Sequence, residues 1–520
     1  MDRERNARGT SVPLGVLAAV GLALAVLLRA VEVHRKSFWL DELHSLWTAR
    51  GADLAQVIER VRVDFHPPLY FLLLHAVDGW DPHAQRWISV AFSLATLVPL
   101  LAIARWAGLS PLARFAVLAL FATSPYQILY AGELRAYAAL GFFATTMAWA
   151  AFTDRAPAKW RFAAFAAATG IGLNVHYFAG VAAVCFVAAR PLVLAPGRAR
   201  NHDVAERNGG RPLPWKRLVL ACGLGFALFL PWLLAKERWL LTDPGKMWRP
   251  EAARPESPYP RPENETRLRP SDLLKAATMP LRTQVPMVST LGRPVSAVAE
   301  FAAEVFFGLA LVGFGFLLSG IARGRAPPGG RRLWAVISAA GATYLVCTAM
   351  CLALWRGFPG QYYVIGAWVL PLLGGALVDS VEVPKFRSIF AAALLVASLA
   401  TGVCHVLGKP RENMRGAVGT AVEVGRPIGA IYTAVLWQPT WYPHALPYQI
   451  YAPDVPSCEP SEVPPAENGE KRPVVVITRQ VSLTGEMSMP MEWMSIRKGR
   501  RVSQNLWIDQ GIRVVVYEAE

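Results

Sequence analysis

Two adjacent carboxylates, Asp41 and Glu42, open the stretch best suited to chemistry, Phe38-Trp39-Leu40-Asp41-Glu42-Leu43-His44-Ser45-Leu46-Trp47. Trp39, Leu43, Leu46 and Trp47 recur at helical spacing, so the stretch reads as a short amphipathic helix lying in a membrane interface. The acids fall near its start, where a helix N-terminus favours anions. Such a pair supplies a general base, or oxygen ligands for a divalent cation. A solvated helix start flanked by aromatic anchors uses the same residue types.

Two further stretches carry chemistry. Phe65-His66-Pro67-Pro68-Leu69-Tyr70 has two fixed φ angles, which force an extended entry and then allow a short helix. The apolar piece that follows, Phe71–His75, is too short to span a bilayer and reads as re-entrant or interfacial. His66 could bind a phosphate or a hydroxyl there, or simply shape the turn. In Tyr126-Gln127-Ile128-Leu129-Tyr130-Ala131-Gly132-Glu133-Leu134-Arg135-Ala136-Tyr137, Glu133 and Arg135 sit near membrane depth, where ionisable groups are expensive and suggest function. The planar fork of Arg135 matches two phosphate oxygens, unless Arg135 pairs with Glu133 or snorkels. Arg86 and the pair His176-Tyr177 fall at the same level. Acidic, basic and aromatic groups thus recur on one face, which points to one polar site for a substrate with an apolar anchor and a charged head.

The elements that must position these groups are membrane spans. Hydrophobic residues make up 54% of the 520 residues and charged ones only 17%, well below the quarter usual in soluble domains. That excludes a soluble enzyme, a disordered chain and a nucleic-acid module. Apolar runs at 11–31, 86–106, 112–131, 136–153, 161–176, 178–195, 217–235, 299–322, 333–355, 362–380 and 387–407 predict about eleven spans. The net charge of +16 gathers in alternate loops, around Arg105 and Arg114, Arg155–Arg161, Arg198–Arg217, Arg323–Arg332 and Lys385–Arg387. By the positive-inside rule those loops are cytoplasmic, so the N-terminus lies inside and the C-terminus outside. The basic loop 236–297 falls outside against that rule, and its cations are free to meet phosphate. The six cysteines show neither a disulfide framework nor a metal spacing.

The predicted fold is an all-α polytopic membrane protein with a small extracytoplasmic α/β domain. Residues 1–407 form the transmembrane module, with outer loops 32–85 and 236–297, and 408–520 form the tail. The tail carries strand-like runs at Ala430–Leu436, Val474–Thr478 and Arg513–Tyr517 and a helix near Asn413–Val424.

Asp41-Glu42 after the first span, His66-Pro67-Pro68-Leu69-Tyr70, an arginine opening the second span and Glu133-x-Arg135-x-Tyr137 together resemble bacterial GT-C glycosyltransferases, relatives of protein O-mannosyltransferases and of the lipid A aminoarabinose transferase. The resemblance covers the first 180 residues and continues beyond them as topology. It implies a transferase of the bacterial inner membrane that uses a polyprenyl-phosphate sugar donor, with a protein, lipid or glycan acceptor outside. It makes Asp41 the base and Glu42 its neighbour, with a divalent metal used by some relatives and not by others. His66, Arg86, Tyr130, Glu133, Arg135, Tyr137 and His176 become candidate substrate contacts. Where relatives carry an Arg-Tyr pair, this chain has Gln361-Tyr362, which removes a charge. A transporter or flippase for a lipid-linked saccharide is the competing reading, and it predicts repeats and mid-span charges that the sequence lacks.

Overall fold

The computed structural model describes residues 14–62, 64, 66–154, 156–194, 213–242, 330–355, 364–408, 413–435, 446–458, 462–464, 472–479, 500–508 and 512–519. The predicted span 299–322, Gln361-Tyr362 and nearly all of the loop 236–297 lie outside the described residues.

Helix α1 (Leu14–Arg35) is followed by four short helices: α2 (Leu40–Ala49), α3 (Leu54–Arg62), α4 (Leu69–His75) and α5 (Pro82–Gln85). The apolar helices are α6 (Trp87–Trp106), α7 (Pro111–Thr123), α8 (Pro125–Ala131), α9 (Tyr137–Phe152), α10 (Ala158–Val175), α11 (Phe178–Leu194), α12 (Trp215–Thr242), α13 (Gly330–Trp355), α14 (Val364–Ala367), α15 (Val369–Ser380) and α16 (Pro384–Leu407). α1, α15 and α16 pack round α7, while α9 is enclosed by α6, α10 and α11. Where α10 crosses α12 the contact is made by small residues, and a Cβ at Gly225 would come 2.5 Å from Thr169 Cβ. Helices thus lie over the predicted apolar runs that fall among the described residues. Four of them are long and apolar enough to cross a bilayer, or up to five if the bent pair α7–α8 is one span. The chain is an integral membrane protein.

The expected continuous span over 112–131 is broken, and its sequence explains why. Pro125 has no N–H and keeps Ser124 extended (φ −61°, ψ 118°), so α8 leaves α7 at 54°. The break strips the last carbonyls of α7 of their helical donors. Arg29, fully buried in α1, supplies replacements: Nη1 donates to Ala122 O (3.3 Å), Nη2 to Phe121 O (3.4 Å) and Nε to Ser93 Oγ (3.0 Å). The expected span over 362–380 is also interrupted, between α14 and α15.

The tail holds α17 (Met414–Gly425), β1 (Ile431–Val435), α18 (Leu446–Tyr451), β2 (Val474–Arg479), β3 (Arg500–Trp507) and β4 (Ile512–Ala519). The strand order is β1-β2-β4-β3, with β1 parallel to β2 and the other pairs antiparallel. Alternation sends Val475, Ile477, Val514 and Val516 into the core with Ala417, Val418 and Ala421 of α17, and Val474, Val476, Val515 and Tyr517 to the opposite face. β3, which the sequence reading missed, alternates poorly and is largely exposed, with a bulge between Val502 and Gln504.

Candidate active site

The predicted site begins where α1 ends. Trp39 is extended (φ −105°, ψ 173°), and α2 starts after it because Glu42, at the third helical position, reaches back to accept the Trp39 N–H (3.3 Å). That carboxylate is then consumed. Glu42 Oε1 accepts from Arg86 Nε (2.8 Å) and from the Leu134 N–H (2.8 Å), and Oε2 accepts from Arg86 Nη2 (2.7 Å). Arg86, at the α5–α6 junction, also donates to the carbonyls of Val33 (3.0 Å), Lys36 (2.8 Å) and Ser37 (3.1 Å), with its guanidinium 4.1 Å from the Phe38 ring centroid. Both side chains of the pair are 1% exposed. Glu42 and Arg86 therefore join α1, α2, α6 and the turn before α9 from behind the site.

Asp41 points the other way. Its side chain is 34% exposed, and among the described residues its carboxylate meets only Arg135, Oδ2 to Nη2 at 3.8 Å. Arg135 is buried and held from several sides: Nη1 donates to Ser45 Oγ (3.2 Å) and lies 3.5 Å from Asp41 O, while Nη2 is 3.2 Å from His66 Nε2. The Tyr137 ring lies 5.8 Å beneath the guanidinium. Tyr130 packs edge-on against Tyr126 and Tyr137, and His176, at the α10–α11 turn, packs edge-on against His66 at 5.5 Å. Glu133 is 4% exposed in the same turn as Arg135. The structure thus gathers Asp41, His66, Arg135, Tyr130, Tyr137 and His176 into one cluster, with Glu133 beside it and Glu42–Arg86 behind.

Three contributors escaped the sequence reading. Asp64 lies between His44 and His66, with Oδ2 2.6 Å from His44 Nε2 and Oδ1 3.0 Å from His66 Nδ1. The Lys236 ammonium donates to the Asp64 carbonyl and sits 5.8 Å from the Tyr177 and Trp232 ring centroids. Burial alone would raise the Asp64 carboxyl, but the His44 and His66 contacts outweigh it and hold the group well below the usual carboxylate range. Burial, and then the charge of Arg135, lower His66. The spacing Asp64-x-His66 was the available signal, since Asp64 Oδ1 accepts the His66 N–H (3.0 Å) in an Asx turn.

Tyr451 of α18 also reaches the site from the tail. Its hydroxyl accepts the Phe38 N–H (2.7 Å) and lies 3.2 Å from Ser37 Oγ, which in turn accepts the Arg415 N–H (2.9 Å). Tyr451→Phe leaves the Phe38 N–H without its acceptor, at a cost of about 1–3 kcal/mol. The expected result is faster hydrogen exchange at the Phe38 to Glu42 amides, and unchanged exchange there would show that the tail does not fasten α2.

The residues do not fit a divalent metal at Asp41-Glu42. Both Glu42 oxygens are spent on Arg86 and backbone donors, Arg135 stands against Asp41, and among the described residues no group of three or more His, Cys, Asp or Glu side chains is placed to hold a metal ion.

No family model and no curated protein matches the chain. Solved structures do. ArnT from Cupriavidus metallidurans in the apo state is 12% identical over 96% of this chain and 97% of that one, with a TM-score of 0.52. The same protein bound to undecaprenyl phosphate gives 12%, 96%, 97% and 0.51. The oligosaccharyltransferase of Archaeoglobus fulgidus is 11% identical over 90% of this chain and 70% of that one, with a TM-score of 0.44. What the chain shares with ArnT along nearly its whole length is the architecture, and its fold is that of the GT-C glycosyltransferases.

Proposed function

We propose that the chain is an inverting membrane glycosyltransferase that moves a sugar from a polyprenyl-phosphate donor to an acceptor on the outer side of a bacterial inner membrane, with the N-terminus cytoplasmic. One observation carries this reading: in a GT-C fold, a part-exposed carboxylate, Asp41, stands 3.8 Å from a buried guanidinium, Arg135. ArnT of Cupriavidus metallidurans has been solved with undecaprenyl phosphate bound, which supports a lipid-phosphate donor.

Asp41 takes the proton of the acceptor hydroxyl as its oxygen attacks the anomeric carbon. The bond from that carbon to the lipid phosphate breaks and the phosphate leaves with the electron pair, so a single displacement inverts the centre. The charge growing on the leaving phosphate faces Arg135, which His66 contacts from behind, with the Lys236 ammonium held nearby on the Asp64 carbonyl. Tyr130, Tyr137 and His176 wall the sugar, and Glu133 bonds its hydroxyls. Glu42 and Arg86, having no free valence, position the acid rather than touch substrate.

The test is a transfer assay in membranes containing the chain, supplied with polyprenyl-phosphate donors carrying radiolabelled sugars. The expected result is label in an acceptor fraction together with free polyprenyl phosphate. Label that crosses the bilayer while still on its lipid would overturn the reading in favour of a transporter.

A further inference from the structure

We infer that Asp64 is a positioning residue: it fixes His66 as the neutral Nδ1–H tautomer, so that His66 Nε2 accepts from Arg135 and turns the guanidinium toward Asp41. The consequence for catalysis rests on the proposed roles of Asp41 and Arg135, whereas the tautomer stands on geometry alone.

An ionised carboxylate only accepts hydrogen bonds and a guanidinium only donates them. Asp64 Oδ1 lies 3.0 Å from His66 Nδ1, so that nitrogen carries the proton. Arg135 Nη2 lies 3.2 Å from His66 Nε2 and 3.4 Å from Nδ1, and with the Nδ1 proton directed to Asp64 the nearer Nε2 is left to accept from the guanidinium. A second anchor holds Asp64 itself, through His44 Nε2 on its other oxygen at 2.6 Å. His44 stands three residues beyond Asp41 on α2, so the same carboxylate fastens the helix that carries the proposed base. Lys236 donates to the Asp64 carbonyl and fixes the loop from α12.

Among the described residues, the charged and titratable groups around His66 are Asp64, Arg135, the edge-on ring of His176, the nearby charge of Asp41, and, through Asp64, His44 and Lys236. Within this ring the two ends of the His66 imidazole do different work. One end is tied to the carboxylate, and the other offers the lone pair that occupies Arg135 Nη2. With Nη1 occupied by Ser45 Oγ, the guanidinium is held from two directions, 3.8 Å from Asp41 Oδ2. A flipped tautomer, or a proton on Nε2, would set an N–H against an N–H and push the guanidinium away.

The experiment uses the full chain in lipid nanodiscs with 15N-labelled histidine, His66 being assigned by its loss in His66→Gln. At pH 7 the expected spectrum shows His66 with one protonated nitrogen, Nδ1, and one bare one, Nε2. An Nε2–H tautomer or an imidazolium in the wild type overturns the inference. This outcome does not depend on finding activity, so a chain that transfers no sugar defeats the proposed function without touching the tautomer.

Where transfer is measured, the pH profile gives a second readout. Protonation of Nε2 releases Arg135, so activity falls as pH drops through the His66 titration. The Asp64 charge favours protonated His66, so Asp64→Asn moves that acid limb to lower pH and lowers the plateau about 10- to 100-fold, in kcat rather than KM. A lowered plateau with an unmoved limb would mean that Asp64 is only structural, and would also overturn the inference.

Discussion

Asp41→Asn is expected to reduce sugar transfer by about 10²- to 10⁴-fold, the range ascribed to a positioned general base, while protein level and melting temperature stay close to wild type. The change is isosteric, and the carboxylate it neutralises is part-exposed and, among the described residues, makes one long contact to Arg135, so little folding energy depends on the charge. Transfer assays on membranes with matched protein content, paired with thermal melts in detergent, separate the two effects. A variant that transfers at the wild-type rate would remove Asp41 from the chemistry. One that melts early would mean that the carboxylate is a structural partner after all.

Glu42→Gln should behave in the opposite way, with a large loss of stability and with activity lost only because the site comes apart. The Arg86 guanidinium is 1% exposed, and its charge is balanced by Glu42 through two short hydrogen bonds. Removing the negative member leaves an uncompensated buried charge, worth about 3–5 kcal/mol of destabilisation. Replacing both partners by apolar residues, Glu42→Leu with Arg86→Met, removes that penalty and should melt above the single variant, a coupling the double-mutant cycle measures directly. The backbone acceptors of Arg86 at Val33, Lys36 and Ser37 would stay unfilled, so recovery should stop short of wild type. A single variant as stable as wild type would show that the pair is dispensable.

These contrasting fates mark the limit of what could be read from residue types. Neighbouring acids look alike in a sequence, and periodicity placed both at a helix start. The three-dimensional partner separates them: Glu42 falls at the position that reaches back to cap α2 and meets an arginine 44 residues later, while Asp41, a hundred degrees round the helix, faces the cluster. Apolar runs located the helices well, because burial in lipid leaves so plain a mark, and the Pro125 break could have been read from Ser124-Pro125. Arg29 could not, since its use depends on carbonyls that only the break sets free. Asp64 was passed over for a similar reason. A carboxylate between two histidines is visible only once α2 and the His66 segment have come together, the residues being 20 positions apart.

The contact of Tyr451 with Phe38 joins residues 413 positions apart, and the Arg415–Ser37 contact spans 378. The segment bearing Asp41 is therefore made among the first parts of the chain and fastened among the last. A chain stopped before Arg415 thus carries every predicted site residue without the two contacts that secure the start of α2.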